Sequence, residues 1–264
     1  MKFFIFLLVA TTLFSKSYYS KVEPYETRVI SSNVVGEILY TNENKIGEKL
    51  DNHAFIKMDT KLHWQEIKSI DNKIEYLREN LKSSDVIVEN LEASLEKHLA
   101  NYEKIKTLST KSIVEKDREF YALVSSQNSL YNAKIALNNL KIQITDLKYR
   151  KNTLLKMIDD KTISVKGFVL YSIDVKAGQV VGIGTPLAKV ADTSFAKLTL
   201  YLDEEDAKDA YAKVVYIDGK KSKYKVSRLL NIADSKNISS YKAEIIINPP
   251  KIFSKLVKVE LKDE

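Results

Sequence analysis

The densest set of groups able to do chemistry is the acidic run DEED at 203–206. Four carboxylates in a row suggest a hard-cation site. The run also reads as the solvated start of a short helix over 204–211, with Asp203 as its N-cap, because a helix start favours carboxylates through its dipole. Elsewhere no nucleophile stands in a pattern with a base. No His/Asp/Glu spacing suits a metal, and no phosphate-binding loop is present. Cysteine is absent, which excludes disulfides, thiolate metal sites and lipidation through a terminal cysteine. Beyond residue 17 the methionines are Met58 and Met157, too few for copper or silver handling. The sequence therefore predicts no enzyme, no cofactor and no metal site. What remains is recognition. Around TLSTKSIV at 107–114 a long helical pattern breaks, and Lys106, Leu108, Lys111, Ser112, Ile113, Val114 and Glu115 gather there. Apolar residues at an exposed turn either pack the turn locally or meet a partner.

The elements that carry this turn are two helices. Residues 59–160 hold no proline and no glycine. Apolar residues recur at alternating steps of three and four, from Ile67 through Ile74, Leu81, Val88 and Leu95 to Ile105, and again from Leu123 to Ile158. These are coiled-coil seams, and His98 is read as a tolerated seam histidine. An antiparallel pair joined at 107–114 matches residues whose numbers sum to about 221, such as Ile67 with Leu154, Ile74 with Leu147 and Leu91 with Leu130. The same phasing sets Asp85 near Lys134, Glu79 near Lys141, and Asp71 near Lys148 and Arg150. Each helix of about 46 residues is about 70 Å long.

Related segments flank this hairpin. GEILYTNENKIGEKL at 36–50 returns at 167–181 as GFVLYSIDVKAGQVV, at a constant offset of 131. Gly36 matches Gly167, Tyr40 matches Tyr171 and Gly47 matches Gly178. Each copy alternates apolar and polar residues and reads as a β-hairpin. One such unit buries too little to stand alone, so the two copies are expected to pack together as one domain.

The 264 residues are 44% apolar and carry a formal charge of +7 spread along the chain. No basic block of five or more is present, so nucleic acid is not an expected partner. MKFFIFLLVATTLFSKS reads as a secretory signal peptide cut after Ser17, or kept as an anchor, although its apolar core is shorter than the about 20 residues of a span. After residue 193 five strand-like runs, LTLYL, AKVVYI, KYKVSRLLNI, KAEIIIN and LVKVEL, suggest a small closed β-barrel, with a hairpin turn at Asp218-Gly219. The expected fold is α+β. It comprises a signal peptide (1–17), an N-terminal segment (18–31), a lipoyl-like half (32–58), the α-helical hairpin (59–160), a second half (161–193) and the barrel (194–264).

This layout resembles the membrane fusion protein family, the HlyD-like periplasmic adaptors. VVGEILYTNENKIGEKL and VKGFVLYSIDVKAGQVVGIGTPLAKVAD resemble the two halves of its lipoyl-like domain. LTLYLDEEDAK and PPKIFSKLVKVEL resemble parts of its barrel, and YEKIKTLSTKSIVEKDREFYAL resembles its hairpin tip. The resemblance implies an adaptor of a tripartite efflux or export system in the periplasm, either free there or associated with the inner membrane. Such an adaptor is a homo-oligomer that links an inner-membrane transporter, of resistance-nodulation-division type by preference, to an outer-membrane channel protein. The alternatives are an adaptor of an ABC exporter or type I secretion system, and a secreted structural coiled-coil protein. Family tips often carry Arg, Leu and Ser toward the channel. Here Leu108 fills the leucine region, Val114 stands at the serine position, and Glu103 and Lys104 lie near the arginine position. The membrane-proximal domain of many relatives is not expected. Lys57, in IKMD, is not at a hairpin apex, which speaks against a lipoate- or biotin-bearing carrier.

Overall fold

The computed structural model describes residues 16–233 and 240–263, so most of the expected signal peptide lies outside the described residues. The chain runs through β1 (Ser17–Lys21), β2 (Glu23–Ser31), β3 (Gly36–Thr41) and β4 (Ile56–Met58) into α1 (Lys61–Lys106) and α2 (Ile113–Asp160). It continues through β5 (Thr162–Ile163), β6 (Val169–Ile173), β7 (Val180–Val181), β8 (Pro186–Leu202) and α3 (Glu204–Lys208). Strands β9 (Val214–Ile217), β10 (Lys220–Lys221), β11 (Arg228–Ala233), β12 (Tyr241–Ile247) and β13 (Leu256–Lys262) complete it. Two compact units result: Met58–Thr162, and the β-rich remainder.

The helical unit is the antiparallel hairpin that the two seams require. Ile67, Ile70 and Ile74 share one buried cluster with Ile144 and Leu154. Val88 shares another with Leu130 and Leu137. Low numbers on α1 thus meet high numbers on α2. The ion pairs differ from expectation. Lys134 bonds Glu92 at 2.7 Å rather than Asp85, and Arg150 bonds Glu66 at 2.8 Å rather than Asp71, which takes Lys151 at 2.6 Å. Arg150 and Asp71 stand on opposite flanks of the seam, so the matched numbers alone could not pair them. Such exposed pairs add little stability but help fix register. At the root, the Met58 N–H donates to the Lys161 carbonyl at 2.9 Å. The buried Lys161 side chain donates to the Asp59 carbonyl at 2.8 Å. Asp59 also caps α1 by accepting from the Lys61 N–H.

In the β-rich unit neither copy of the repeat is a hairpin on its own. The segment after each turn glycine crosses to the other copy. Gly36 pairs with Val181 and Glu37 with Val180. Reciprocally, the Leu50 N–H donates to the Phe168 carbonyl at 2.7 Å, and Lys49 bridges Val169. The Gly178 N–H donates to the Ile38 carbonyl, and the Gly47 N–H donates to the Leu170 carbonyl. These paired contacts show that the offset is not constant. It is 131 across the turn, but 132 in the first strand, where Ile38 corresponds to Leu170, both fully buried. The match of Gly36 with Gly167 is therefore one residue out. Period-two alternation exposes such a slip, because one residue turns every side chain to the other face. Copy one absorbs its extra residue in a short 3-10 turn at Glu43–Lys45.

The barrel strands expected after residue 193 are joined by a strand from the N-terminal segment, since β1 pairs with β13. β8 is 17 residues long and runs from the repeat domain into the barrel without a break. In the repeat domain it pairs with β6, and in the barrel with β12. Residues 18–31, to which the sequence assigns no element, form β1 and β2, which pair with β13 and β8. The strand orders are β1-β13-β9-β10 and β11-β12-β8-β2. The two sheets enclose one core of Val22, Leu198, Leu200, Val215, Ile245 and Val259, among others. The Asp218-Gly219 turn forms between β9 and β10 with both residues at positive φ, 49° and 77°, as a type I′ turn demands.

Gly47 and Gly178, at φ 86° and 85°, make the same turn in the two copies, and a methyl group at either would meet no atom within 4 Å. Replacing either by alanine should therefore cost conformational energy alone, about 1 kcal/mol each. Gly182 does not have positive φ, and Gly182→Ala should be neutral or slightly stabilising. Denaturant unfolding of the three variants checks this; unequal losses at Gly47 and Gly178 would contradict the equivalence of the turns.

Candidate functional site at the hairpin tip

At the far end of α1 the basic residues Lys104 and Lys106 stand in the last turn, where the helix dipole favours cations. Thr107 ends the helix, and the Leu108 N–H donates back to the Ile105 carbonyl at 3.1 Å. α2 restarts at Ser112. Its hydroxyl accepts from the Glu115 N–H at 3.2 Å, while the Glu115 carboxylate accepts from the Ser112 N–H at 3.1 Å. This reciprocal arrangement is a capping box. Lys111 bonds the same carboxylate at 3.0 Å. The Lys111 ammonium, with the Ser112 backbone and hydroxyl behind it, holds the Glu115 carboxyl below the usual range.

The turn is thus held by polar contacts, and its apolar residues are left outside. Ile113 is 77% exposed, Val114 76% and Leu108 45%. Local packing does not cover them. Ile113 and Val114 belong to the first turn of α2, so the break in the helical pattern is 107–112, two residues shorter than the sequence suggests. Ser112-Ile113-Val114-Glu115 carried the signal, being the S-x-x-E of a capping box. Of the seven expected residues, Lys111, Ser112 and Glu115 bond one another. Leu108, Ile113 and Val114 stand exposed. Lys106 ends α1, 5.7 Å from the ring of Tyr102 and 3.7 Å from Glu103. Sequence reasoning did not single out Phe120, which packs on Tyr102 at 5.7 Å and Tyr121 at 5.8 Å and clamps the helices just below the turn. Deeper in the seam, His98 Nδ1 and Ser126 Oγ are buried without a hydrogen-bond partner.

The acidic run is a helix start. Asp203 accepts from the Asp206 N–H at 2.9 Å as the N-cap of α3, which ends at Lys208 rather than at Tyr211. Asp206 is buried and turned inward, bonded by the Tyr18 hydroxyl and by Lys213 at 2.5 Å. Burial, then the Asp206 carboxylate, pushes the Tyr18 hydroxyl well above its usual range. Lys57 lies exposed in mid-strand between buried Ile56 and Met58. No group of three His, Asp or Glu able to hold a metal occurs among the described residues. None of their helices is long and apolar enough to cross a membrane.

Ser112→Ala should remove one partner of the cap and cost about 1 kcal/mol at the start of α2. Because the Glu115 carboxyl is held low, the contribution of its charged form is complete above its ordinary pKa of about 4.3 and is lost as pH falls through the lowered value. Hydrogen exchange of the Glu115 and Lys116 amides should report both effects; unchanged protection in the variant would mean that the cap does not hold the tip.

No protein-family model and no curated protein matches the sequence, so the comparison rests on structure. MacA from Actinobacillus actinomycetemcomitans superposes with a TM-score of 0.60 at 18% identity, covering 94% of this chain and 79% of that one. The membrane fusion protein Spr0693 from Streptococcus pneumoniae R6 gives 0.62 at 12% identity, covering 95% and 100%. A MacA-MexA chimera carrying the Pseudomonas aeruginosa MexA α-hairpin domain gives 0.55 at 15%, covering 95% and 81%. Over this span the chain has the fold of MacA and of the membrane fusion protein Spr0693.

Proposed function

We propose that this protein is a non-catalytic periplasmic adaptor of a tripartite efflux or export system. In this reading it is a homo-oligomer joining an inner-membrane transporter, of resistance-nodulation-division type by preference, to an outer-membrane channel, with the hairpin tip as the channel-binding end. The observation that carries the reading is the tip itself. Ile113 and Val114 are presented to solvent at the end of a long coiled coil, on a turn fixed by a polar cap. An apolar patch that its own fold supports but does not cover suits a partner surface. The likeness in fold to membrane fusion proteins supports the same role. Lys106 and Lys111 flank the patch but are paired with Glu103 and Glu115, so the complementary surface is chiefly an apolar pocket.

A photo-activated cross-linker at Val114 should capture an outer-membrane channel in cells. Val114→Asp should reduce export at least tenfold while leaving the helical circular dichroism unchanged. If Val114 captures nothing while positions near Asp203 capture a pump, the docking of the tip is wrong. If neither position captures a membrane protein and a deletion strain exports normally, the adaptor reading itself is wrong.

A further inference from the structure

The barrel is closed on one side by a side chain rather than by a strand ladder. Among the described residues β1 pairs with β13, and β8 pairs with β2, β6 and β12, so no ladder joins β1 to β8. The two strands are neighbours all the same. The buried Ser20 hydroxyl on β1 accepts from the Thr199 N–H on β8 at 2.9 Å and donates to the Lys21 carbonyl at 3.3 Å. At this seam the outer surface holds a cleft of about 360 Å³. Small-molecule sites begin at about 300 Å³.

Period two decides what lines the cleft. Leu198, Leu200 and Leu202 belong to the barrel core, so Lys197, Thr199 and Tyr201 point outward from β8. Tyr18 and Val22 turn to the same core, so Tyr19 and Lys21 point outward from β1. Lys242 joins them from β12, where it is the register partner of Tyr201. Three lysines thus face one carboxylate, Glu23, among the lining residues, a net charge of +2. Neither Lys21 nor Lys197 is ion-paired among the described residues. Lys242 bonds Glu244 at 3.1 Å, but that carboxylate also has Arg228 at 3.7 Å. Gathering ammonium groups that repel one another does nothing for the barrel itself. Nor does the core use the tyrosine rings, since Tyr19 is 66% exposed and Tyr201 41%.

The lining selects among anions. It contains no guanidinium, so nothing in it matches the flat fork of a carboxylate. Lysine is a compact point charge that suits phosphate. A phosphate monoester carries about −1.5 to −2 at neutral pH, close to the opposite of the cleft's own charge. We propose that the seam between β1 and β8 binds a phosphate monoester carried on a small organic body. The phosphate sits among Lys21, Lys197 and Lys242, with the Thr199 hydroxyl as a further donor, and the body lies against Tyr19 and Tyr201. The ester is a free solute or the headgroup of a lipid, and both present the same group to the lysines. This site lies outside the adaptor role and does not depend on it.

Calorimetric titration of the full chain with phenyl phosphate tests the assignment. Binding should saturate with a Kd of about 1 mM or tighter and should weaken as salt is added. Inorganic phosphate, which lacks the ring, and benzenesulfonate, which has a single charge, should both bind less well. Lys21→Gln and Lys197→Gln should each weaken binding roughly fivefold. Lys223→Gln removes the same charge from an exposed position outside the cleft and should change nothing. Tyr201→Ala should erase the advantage of phenyl phosphate over inorganic phosphate. Circular dichroism of every variant should match that of the parent protein. Co-sedimentation with phosphatidic acid vesicles, lost in Lys21→Gln, would identify the ester as a lipid headgroup. Titration with phenyl phosphate but no co-sedimentation would identify it as a solute. Absence of both overturns the proposal. So does a loss in Lys223→Gln as large as in Lys21→Gln, which would mean diffuse attraction to a basic barrel. None of these measurements involves a pump or channel, so the adaptor reading is decided separately by capture from Val114.

Discussion

The repeat domain depends on a reciprocal exchange of backbone hydrogen bonds. The strand that opens each copy of the repeat is completed by the segment that follows the turn glycine of the other copy. Gly36 finds its partner at Val181, and Phe168 finds its partner at Leu50. Unpaired buried backbone groups are costly, so neither half has a stable form without the other. The chain is therefore obliged to leave and come back, and a self-contained excursion such as the coiled coil can occupy the interval without disturbing the sheet. The same obligation ties the domain to the barrel, because β8 begins as a strand of the repeat and ends among the barrel strands.

A second principle is the separation of what stabilises a surface from what that surface displays. At the tip, charge-assisted and capping hydrogen bonds hold the turn, leaving its apolar side chains uncommitted. Along α2 the seam residues stabilise the hairpin, while a differently phased set of residues faces outward. In the barrel, Asp206 is drawn inward to Tyr18 and Lys213, which fastens β1 to α3. What looks from composition like an acidic surface cluster is there a clasp.

Much of this was legible in the sequence. Helices and their antiparallel pairing follow from seam spacing, since a stripe of apolar residues has only one economical way to be buried on both sides. The two copies and their mutual packing follow from the repeated turn glycine. Less visible was the crossing of strands between copies. A segment such as GEKL looks the same whether it pairs with its neighbour or with a strand more than 100 residues away, because alternation encodes faces and not partners. The strands at 17–31 were missed for a related reason: YYSKVEPYETRVIS mixes charged and apolar residues, as suits strands with an exposed side, and sits beside a leader-like segment. At the tip, the seven residues stand in the turn or in the helical turns that flank it, whereas the capping box had to be recognised as a unit to place the start of α2 correctly.

The clasp at the root of the hairpin bears on how so distant a pairing is reached at all. Asp59 and Lys161 are 102 residues apart in sequence. Closing a featureless loop of that length would cost about 4 kcal/mol in its length-dependent part alone. A coiled coil changes the accounting, since its contacts grow outward from a six-residue turn and each step brings the next pair within reach. By the time Met58 and Lys161 meet, the separation that matters kinetically has shrunk to a few residues. The two halves of the sheet then join as near neighbours, and a topology that is non-local on paper becomes local in time.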